Sequence, residues 1–118
     1  MPSYRDAAKR VRMGAMRERQ SKVLESRGVS PEIAERLLDL WADVLSSVRN
    51  QTTSEIFEEW FSETVLLEQG DGRIVIGVPS DRHQHLLGDR MRPLMERAFS
   101  YKGVEIGGLV FEVYDQGG

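Results

Sequence analysis

The sequence predicts a small α+β domain in which a three-stranded sheet packs against helices. The main observation is a change of period within residues 54–79, SEIFEEWFSETVLLEQGDGRIVIGVP. Apolar residues first recur at helical spacing, and two short β-branched runs then follow, separated by a glycine-rich turn. A strongly amphipathic helix precedes this unit, and a further helix and a last apolar run follow it. The expected order is ααββαβ after a basic N-terminal helix.

The length and composition indicate one soluble globular domain. The 118 residues are 40% hydrophobic and 30% charged, with no cysteine, which excludes disulfides and cysteine-based metal or nucleophile sites. No apolar run approaches the ~20 residues of a membrane span, and no secretory signal is recognisable. A cytoplasmic location is the expectation.

Charge is distributed very unevenly along the chain. Residues 1–27 carry eight basic side chains against three acidic ones, a net charge of +5, whereas residues 28–118 carry eight against sixteen, a net charge of −8. Residues 1–29 are therefore predicted to form a separate, mostly solvated basic helical arm with little apolar surface. Its expected role is nucleic-acid contact, through these residues: Arg5, Lys9, Arg10, Arg12, Arg17, Arg19 and Lys22.

The main domain is predicted to span residues 30–114, with residues 115–118 as a tail. Ser30-Pro31 has the form of a helix start. The apolar residues that follow, from Ile33 to Val48, recur at helical spacing and so lie on one face of that helix. Thr52 and Glu55 fit a capping box for the next helix. The apolar face of that helix consists of Ile56, Phe57, Trp60 and Phe61. The aromatic residues Trp41, Phe57, Trp60 and Phe61 are predicted to be core rather than an exposed stacking platform.

Two strands, residues 64–68 and 73–78, are predicted to form a hairpin in which Gly70 and Gly72 take positive φ. The turn is favoured over a nucleic-acid-binding loop between helices. After the hairpin, Ser80 can cap a helix that Pro93 should split near Arg92. The last strand should include residues 104–106 and 109–114, with a possible bulge at the intervening glycines.

From Leu40 onward the chain resembles the N-terminal domain of the bacterial replication initiator DnaA. The resemblance covers about 75 residues, and these segments carry it: Leu40-Trp41, Phe57-Glu58-Glu59-Trp60-Phe61, Val78-Pro79-Ser80, Leu86-Leu87, Arg92-Pro93-Leu94 and Phe111-Glu112-Val113. It implies a KH-like fold without enzymatic activity. It also implies a protein-interaction module that binds the replicative helicase, the initiator or itself, with weak single-stranded DNA binding. The DciA-like helicase operators are a second family with a similar domain beside a basic extension.

The candidate docking residues are acidic, with one exception. Ten carboxylates lie between Glu32 and Asp71 against two arginines, which describes either a solvated face or a docking surface for a basic partner. The exception is Arg82, which stands where the initiator family usually has an aromatic residue and which prefers carboxylates or phosphates. The predicted partner-binding residues are Glu55, Glu58, Glu59 and Arg82.

No pattern points to catalysis, a metal or a cofactor. His83 and His85 are two residues apart, and that spacing on a helix makes no chelate, so a solvated surface pair is predicted. The leading expectation is a non-enzymatic adaptor or regulator of bacterial DNA replication. The alternative is a direct single-stranded nucleic-acid binder that uses the basic arm and the KH-like domain.

Overall fold

The computed structural model describes the backbone of residues 4–114 and the side chains of residues 14–114. Within these residues the order is α1 (Tyr4–Ser26), α2 (Pro31–Gln51), α3 (Ser54–Trp60), β1 (Val65–Gly70), β2 (Arg73–Val78), α4 (Asp81–Asp89), α5 (Arg92–Tyr101) and β3 (Gly108–Val113). The strands form one mixed sheet of order β1-β2-β3. The predicted α+β class is confirmed, with helices packed against a three-stranded sheet.

The sheet combines one hairpin with one crossover. β1 pairs antiparallel with β2 across the hairpin, and β3 pairs parallel with β2. A parallel neighbour requires a long connection, which α4 and α5 provide. The expected break near Arg92 is confirmed, because α4 ends at Asp89 and α5 begins at Arg92 with Pro93 in its first turn. The last strand is shorter than predicted, since residues 104–106 lie outside it.

The hairpin turn differs in detail from the prediction. Asp71 and Gly72 have positive φ, at 53° and 77°, and Gly70 lies within β1, paired with Arg73. Two central residues with positive φ give a turn whose twist matches that of the flanking strands. Aspartate tolerates this conformation better than most residues, so Gly70 is not needed for it. The interpretation of this loop as a hairpin turn is confirmed.

The helix α2 supplies one side of the core. Ser30 is its N-cap and accepts a hydrogen bond from the backbone N–H of Ile33, and Pro31 occupies the first turn, as predicted. Its buried residues recur at helical spacing: Leu37, Trp41, Val44, Leu45 and Val48. The helix continues to Gln51, beyond the predicted end near Val48.

Two expectations about α3 are wrong. The cap is Thr53, whose hydroxyl accepts from the Ile56 N–H, rather than Thr52. The apolar face is also only partly core, because Phe57 and Phe61 are buried while Ile56 and Trp60 are half-buried. Trp60 is the last residue of α3, so it packs against the edge of the core and is covered only in part.

The helix α1 is not the separate arm that the sequence suggested. Met16 and Leu24, with exposed fractions of 6% and 0%, belong to the main hydrophobic core together with residues of α2, α5 and the sheet. Val23 packs against a second apolar cluster on the other face of the sheet. At least from residue 16 onward, α1 is therefore part of the domain, and the predicted boundary at residue 30 is wrong. The predicted tail at residues 115–118 lies outside the described residues.

The outer edge of β1, together with residues 62–64 just before it, is bonded to helix side chains. Two side chains of α1 donate to backbone carbonyls here: Arg19 to Ser62, at 3.0 Å, and Gln20 to Leu66, at 3.1 Å. Two side chains of α2 do the same: Trp41 donates to the carbonyl of Thr64 at 3.3 Å, and Arg36 donates to that of Gln69 at 3.1 Å. These carbonyls belong to every second residue from 62 to 66, and the bulge at Leu67 in β1 accounts for the extra step before Gln69. We call this row the sealed β1 edge. Gln20 is 2% exposed, so its burial is explained by this bond.

Tyr114 crosses the second face of the sheet above Gly77. Its hydroxyl donates to the carbonyl of Glu63 at 2.6 Å. A Cβ on Gly77 would lie 2.7 Å from a methyl of Val65 and 3.0 Å from the Tyr114 ring, so a glycine is required for this close approach. Burial raises the pKa of the Tyr114 phenol. The charge of Arg19 lowers this pKa, and the charge of Glu63 raises it.

Gly77→Ala is therefore expected to destabilise the domain by about 1–3 kcal/mol, because the new methyl group must displace Tyr114 or Val65 in a packed layer. The matched control is Gly14→Ala, at an exposed helical position with nothing within 4 Å of the added Cβ. That change should stabilise α1 by about 0.5–1 kcal/mol. Urea unfolding followed by circular dichroism measures both. Equal effects of the two substitutions would contradict the packing of Tyr114 on Gly77.

Candidate functional site

The C-terminal end of α3 meets the first turn of α4, and His83 joins them. Ser80 caps α4 by accepting from the His83 N–H at 3.2 Å. The His83 ring lies between Ser80 Oγ, 2.7 Å from Nδ1, and the carbonyl oxygen of Glu59, 3.0 Å from Nε2. Because a carbonyl only accepts, Nε2 donates here, and Nδ1 can accept from the hydroxyl. The prediction of a solvated histidine pair is thus wrong for His83, which is half-buried, whereas His85 is exposed.

Trp60 is held between two side chains of α4. The His83 ring lies edge-on to the indole, with centroids 5.1 Å apart and planes inclined by 62°. The guanidinium carbon of Arg82 lies 4.9 Å from the indole centroid, a cation–π arrangement. Arg82 Nη2 is also 3.5 Å from Glu59 Oε1, a pair exposed enough to contribute little to stability. The tryptophan is therefore fixed in orientation while remaining partly accessible.

A shallow groove of about 500 Å³ extends from Trp60 along α4. Its residues on α4 recur every three to four positions and so share one face of the helix. The groove is lined by Trp60, Arg82, His85, Leu86, Asp89 and Arg90. We call these residues, with Glu59 and His83, the α3–α4 surface. It combines an apolar floor with charges of both signs.

The structure brings together two of the four predicted partner-binding residues. Glu59 and Arg82 lie in contact on the α3–α4 surface. Glu55 is in the first turn of α3, at the opposite end of that helix, where the helix dipole favours a carboxylate. Glu58 is exposed, and its backbone carbonyl accepts from the hydroxyl of Ser62. Neither of these two lines the groove.

The described basic residues of α1 have partners within the chain. Arg17 forms an ion pair with Asp39 at 2.9 Å, Arg19 donates to the Ser62 carbonyl, and Lys22 lies 3.5 Å from Glu18. The other predicted nucleic-acid residues have side chains outside the described part: Arg5, Lys9, Arg10 and Arg12. The described cations thus pair with groups of the chain itself, and the side chains of Arg17 and Lys22 stay 46% and 75% exposed.

Sequence reasoning placed Arg90 near Arg82 but missed that Trp60 and Leu86 belong to the same surface. Helical spacing assigned Trp60 to the core because it follows Phe57 by three residues. The available signal was its position at the last residue of α3, where the chain turns away and the helix no longer covers it. A second signal was the spacing of Arg82 and Leu86, which are four residues apart on the helix capped by Ser80 and therefore share one face of it.

Among the described residues, no group of three or more histidine, aspartate or glutamate side chains is arranged to hold a metal ion. In that same part of the chain no helix combines the length and the apolar character needed to cross a membrane.

No protein-family model matches the chain, and no curated protein matches it. The resemblance to the N-terminal domain of DnaA therefore stays a prediction based on the quoted residues.

Proposed function

We propose that the protein is a non-enzymatic interaction domain of the bacterial replication machinery, acting in the cytoplasm. Its partner is the replicative helicase, the initiator or a second copy of itself, and it binds as an adaptor or regulator. The observation that carries the proposal is the α3–α4 surface, where Trp60 is oriented by Arg82 and His83 yet remains partly exposed. The resemblance to the initiator's N-terminal domain supports the choice of partners.

The composition of this surface suits a protein partner. Tryptophan and arginine are the residues most often found at energetic hot spots of interfaces. The indole packs against the His83 ring and the Arg82 guanidinium, which lowers the side-chain freedom that binding has to remove. Leu86 extends the apolar floor, and Arg90 and Asp89 provide a polar rim that can select a complementary partner.

A nucleic-acid strand is less well matched to the same surface. Glu59 and Asp89 would lie close to its phosphates, and Glu59 already pairs with the arginine nearest to Trp60. The described cations of α1 are engaged inside the chain. These contacts favour an interface with a protein over single-stranded DNA binding.

Two substitutions test the proposal by titration against the purified replicative helicase and the initiator's N-terminal domain. Trp60→Ala should weaken binding by about 2 kcal/mol or more while lowering stability by only about 1–2 kcal/mol. Arg82→Glu should weaken binding by at least about 1 kcal/mol with little change in stability, since it reverses a charge on an exposed side chain.

Arg97→Glu is the matched control, because Arg97 is an exposed arginine on α5 outside the α3–α4 surface. It should leave affinity unchanged. The proposal fails if Trp60→Ala and Arg82→Glu bind as the unmodified protein does. Binding of single-stranded DNA that survives about 200 mM salt would instead support the nucleic-acid alternative.

A further inference from the structure

The ion pair between Arg82 and Glu59 holds the arginine only weakly. It has a single contact, from Nη2 to Oε1 at 3.5 Å, and the two side chains are 74% and 57% exposed. A charge-assisted bond between a guanidinium and a carboxylate is normally about 2.7–2.9 Å long and is often double. A second carboxylate in a closer, bidentate position can therefore replace Glu59 at little cost.

Arg82 is held in place by an aromatic ring rather than by its ion pair. The guanidinium carbon lies 4.9 Å from the centroid of the Trp60 indole. A guanidinium has five N–H donors, and among the described residues only Glu59 accepts a hydrogen bond from those of Arg82. The arginine thus keeps most of its donors for a ligand.

The position of Glu59 is not explained by the stability of α3. Glu59 is the next-to-last residue of that helix, where the helix dipole disfavours a carboxylate. Its backbone is fixed by His83, whose Nε2 donates to the Glu59 carbonyl at 3.0 Å, while its carboxylate stays exposed. The fold therefore holds a carboxylate next to the donors that an incoming carboxylate would need.

Arg82 is also one end of a row of three side chains along α4. Arg82, Leu86 and Arg90 follow each other at intervals of four residues, so they share one helix face, with about 12 Å between the two ends. Trp60 widens the apolar centre of the row. Arg90 is exposed, and no ion pair engages its side chain within the described part of the chain. The row thus reads cation, apolar, cation.

We propose that the α3–α4 surface binds an amphipathic helix of a protein partner that carries a carboxylate on each side of an apolar residue, and that Glu59 competes with it for Arg82. Acidic side chains at i and i+8 with an apolar one at i+4 repeat the spacing of the row. One carboxylate replaces Glu59 on Arg82 and the other meets Arg90. The inference rests on the proposed function and adds the chemistry of the segment that binds.

The charges around the row favour such a helix over a nucleic-acid strand. The helix brings negative charge only to the two arginines. A strand carries a phosphate at every nucleotide, so it also brings charge close to Asp89, which lines the groove next to Arg90.

Two synthetic helical peptides of about 16 residues, labelled with fluorescein, test the proposal. One has two glutamates eight positions apart with a leucine midway, and the other has glutamines in place of both glutamates. Glu59→Gln should raise the affinity of the full chain for the glutamate peptide about threefold, because it removes the competing charge. The glutamine peptide should bind more weakly, with no response to this substitution. Fluorescence anisotropy gives the dissociation constants, and circular dichroism checks the fold.

Glu55→Gln is the matched control. It removes the same charge from the first turn of α3, at the opposite end of the helix, and should leave both affinities unchanged. The gain from Glu59→Gln should also shrink as salt is added, since both side chains of the ion pair are exposed.

Three results overturn the proposal. The first is that neither protein binds the glutamate peptide up to about 1 mM. The second is that Glu59→Gln and Glu55→Gln have equal effects. The third is that Glu59→Gln strengthens binding of a single-stranded oligothymidylate more than binding of the peptide.

These results can be told apart from failure of the proposed function. Helicase binding that depends on Trp60 and Arg82 but does not respond to Glu59→Gln contradicts the competition by Glu59 alone. Binding of the glutamate peptide as expected, with no binding of the helicase or of the initiator's N-terminal domain, supports the inference and contradicts only the choice of partners.

Discussion

A chain that begins at Val29 is expected to lose cooperative unfolding. It lacks α1, and with it two buried core side chains, Met16 and Leu24. It also loses the bonds of Arg19 and Gln20 to the sealed β1 edge, which leaves the carbonyls of Ser62 and Leu66 without these partners. The full chain has a free energy of unfolding of only about 5–15 kcal/mol, and losses of this kind remove a large part of it.

The substitution Leu24→Ala tests the same claim without a deletion. Leu24 is fully buried, so its truncation should lower the free energy of unfolding by about 2–5 kcal/mol. Glu25→Ala, at the exposed neighbouring position, should change it by no more than about 0.5 kcal/mol. Thermal and urea unfolding followed by circular dichroism measure the stability of the shortened chain and of the Leu24→Ala and Glu25→Ala proteins. If the shortened chain unfolded cooperatively within a few degrees of the full chain, α1 would be an independent arm after all.

Trp41→Ala is expected to be the most damaging single substitution considered for this protein. Trp41 is 2% exposed and stacks on Phe99, with ring centroids 6.1 Å apart. Truncating such a side chain leaves a cavity and costs about 3–5 kcal/mol. The Thr64 carbonyl also loses the bond from the indole N–H, which adds about 1–3 kcal/mol if nothing replaces it.

The comparison with Trp60→Ala gives this prediction its control. Trp60 is half-buried and its neighbours Arg82 and His83 are partly exposed, so its truncation should cost much less stability than that of Trp41. The loss of stability on Trp41→Phe should lie between those of Trp41→Ala and Trp60→Ala, because phenylalanine keeps an aromatic ring against Phe99 but loses the hydrogen bond to Thr64. Urea unfolding separates the three variants. Equal losses for Trp41→Ala and Trp60→Ala would mean that the two tryptophans are not divided between core and surface.

Most of the fold could be predicted because its signals are local. Ser30-Pro31 begins α2, Ser80 begins α4 and Pro93 divides α4 from α5, as the structure has them. The errors at element ends have equally local causes. Asp71 takes a positive φ that the sequence analysis assigned to Gly70, and Thr53 caps α3 one residue after the predicted cap.

The docking of α1 could not be predicted from its own sequence. Its described contact residues, Met16, Gln20 and Leu24, recur every four positions, but the central one is a polar glutamine. A polar residue in a thin apolar stripe indicates a solvated helix. Gln20 is buried because it donates to the carbonyls of Leu37 and Leu66, which belong to elements far away in the chain. Only the tertiary arrangement explains that burial.

Only part of the candidate site could be predicted, the group of Arg82 with Asp89 and Arg90. The charges of Glu59 and Arg82 predict a docking role for each, and the structure places the two side chains in contact. Helical spacing predicts a buried Trp60 and a solvated His83, whereas both side chains are half-buried on the α3–α4 surface. The site depends on how α3 ends against α4, and that is set by packing rather than by the periodicity of either helix.

The most direct test of the proposed function is to follow the backbone and tryptophan indole NMR signals while the replicative helicase is added. Binding through the α3–α4 surface predicts changes in the Trp60 indole signal and in the amides of Arg82, Leu86 and Arg90, with the buried Trp41 indole little affected. Signals that change only in α1, or that respond to single-stranded DNA and not to the helicase, would contradict the proposal.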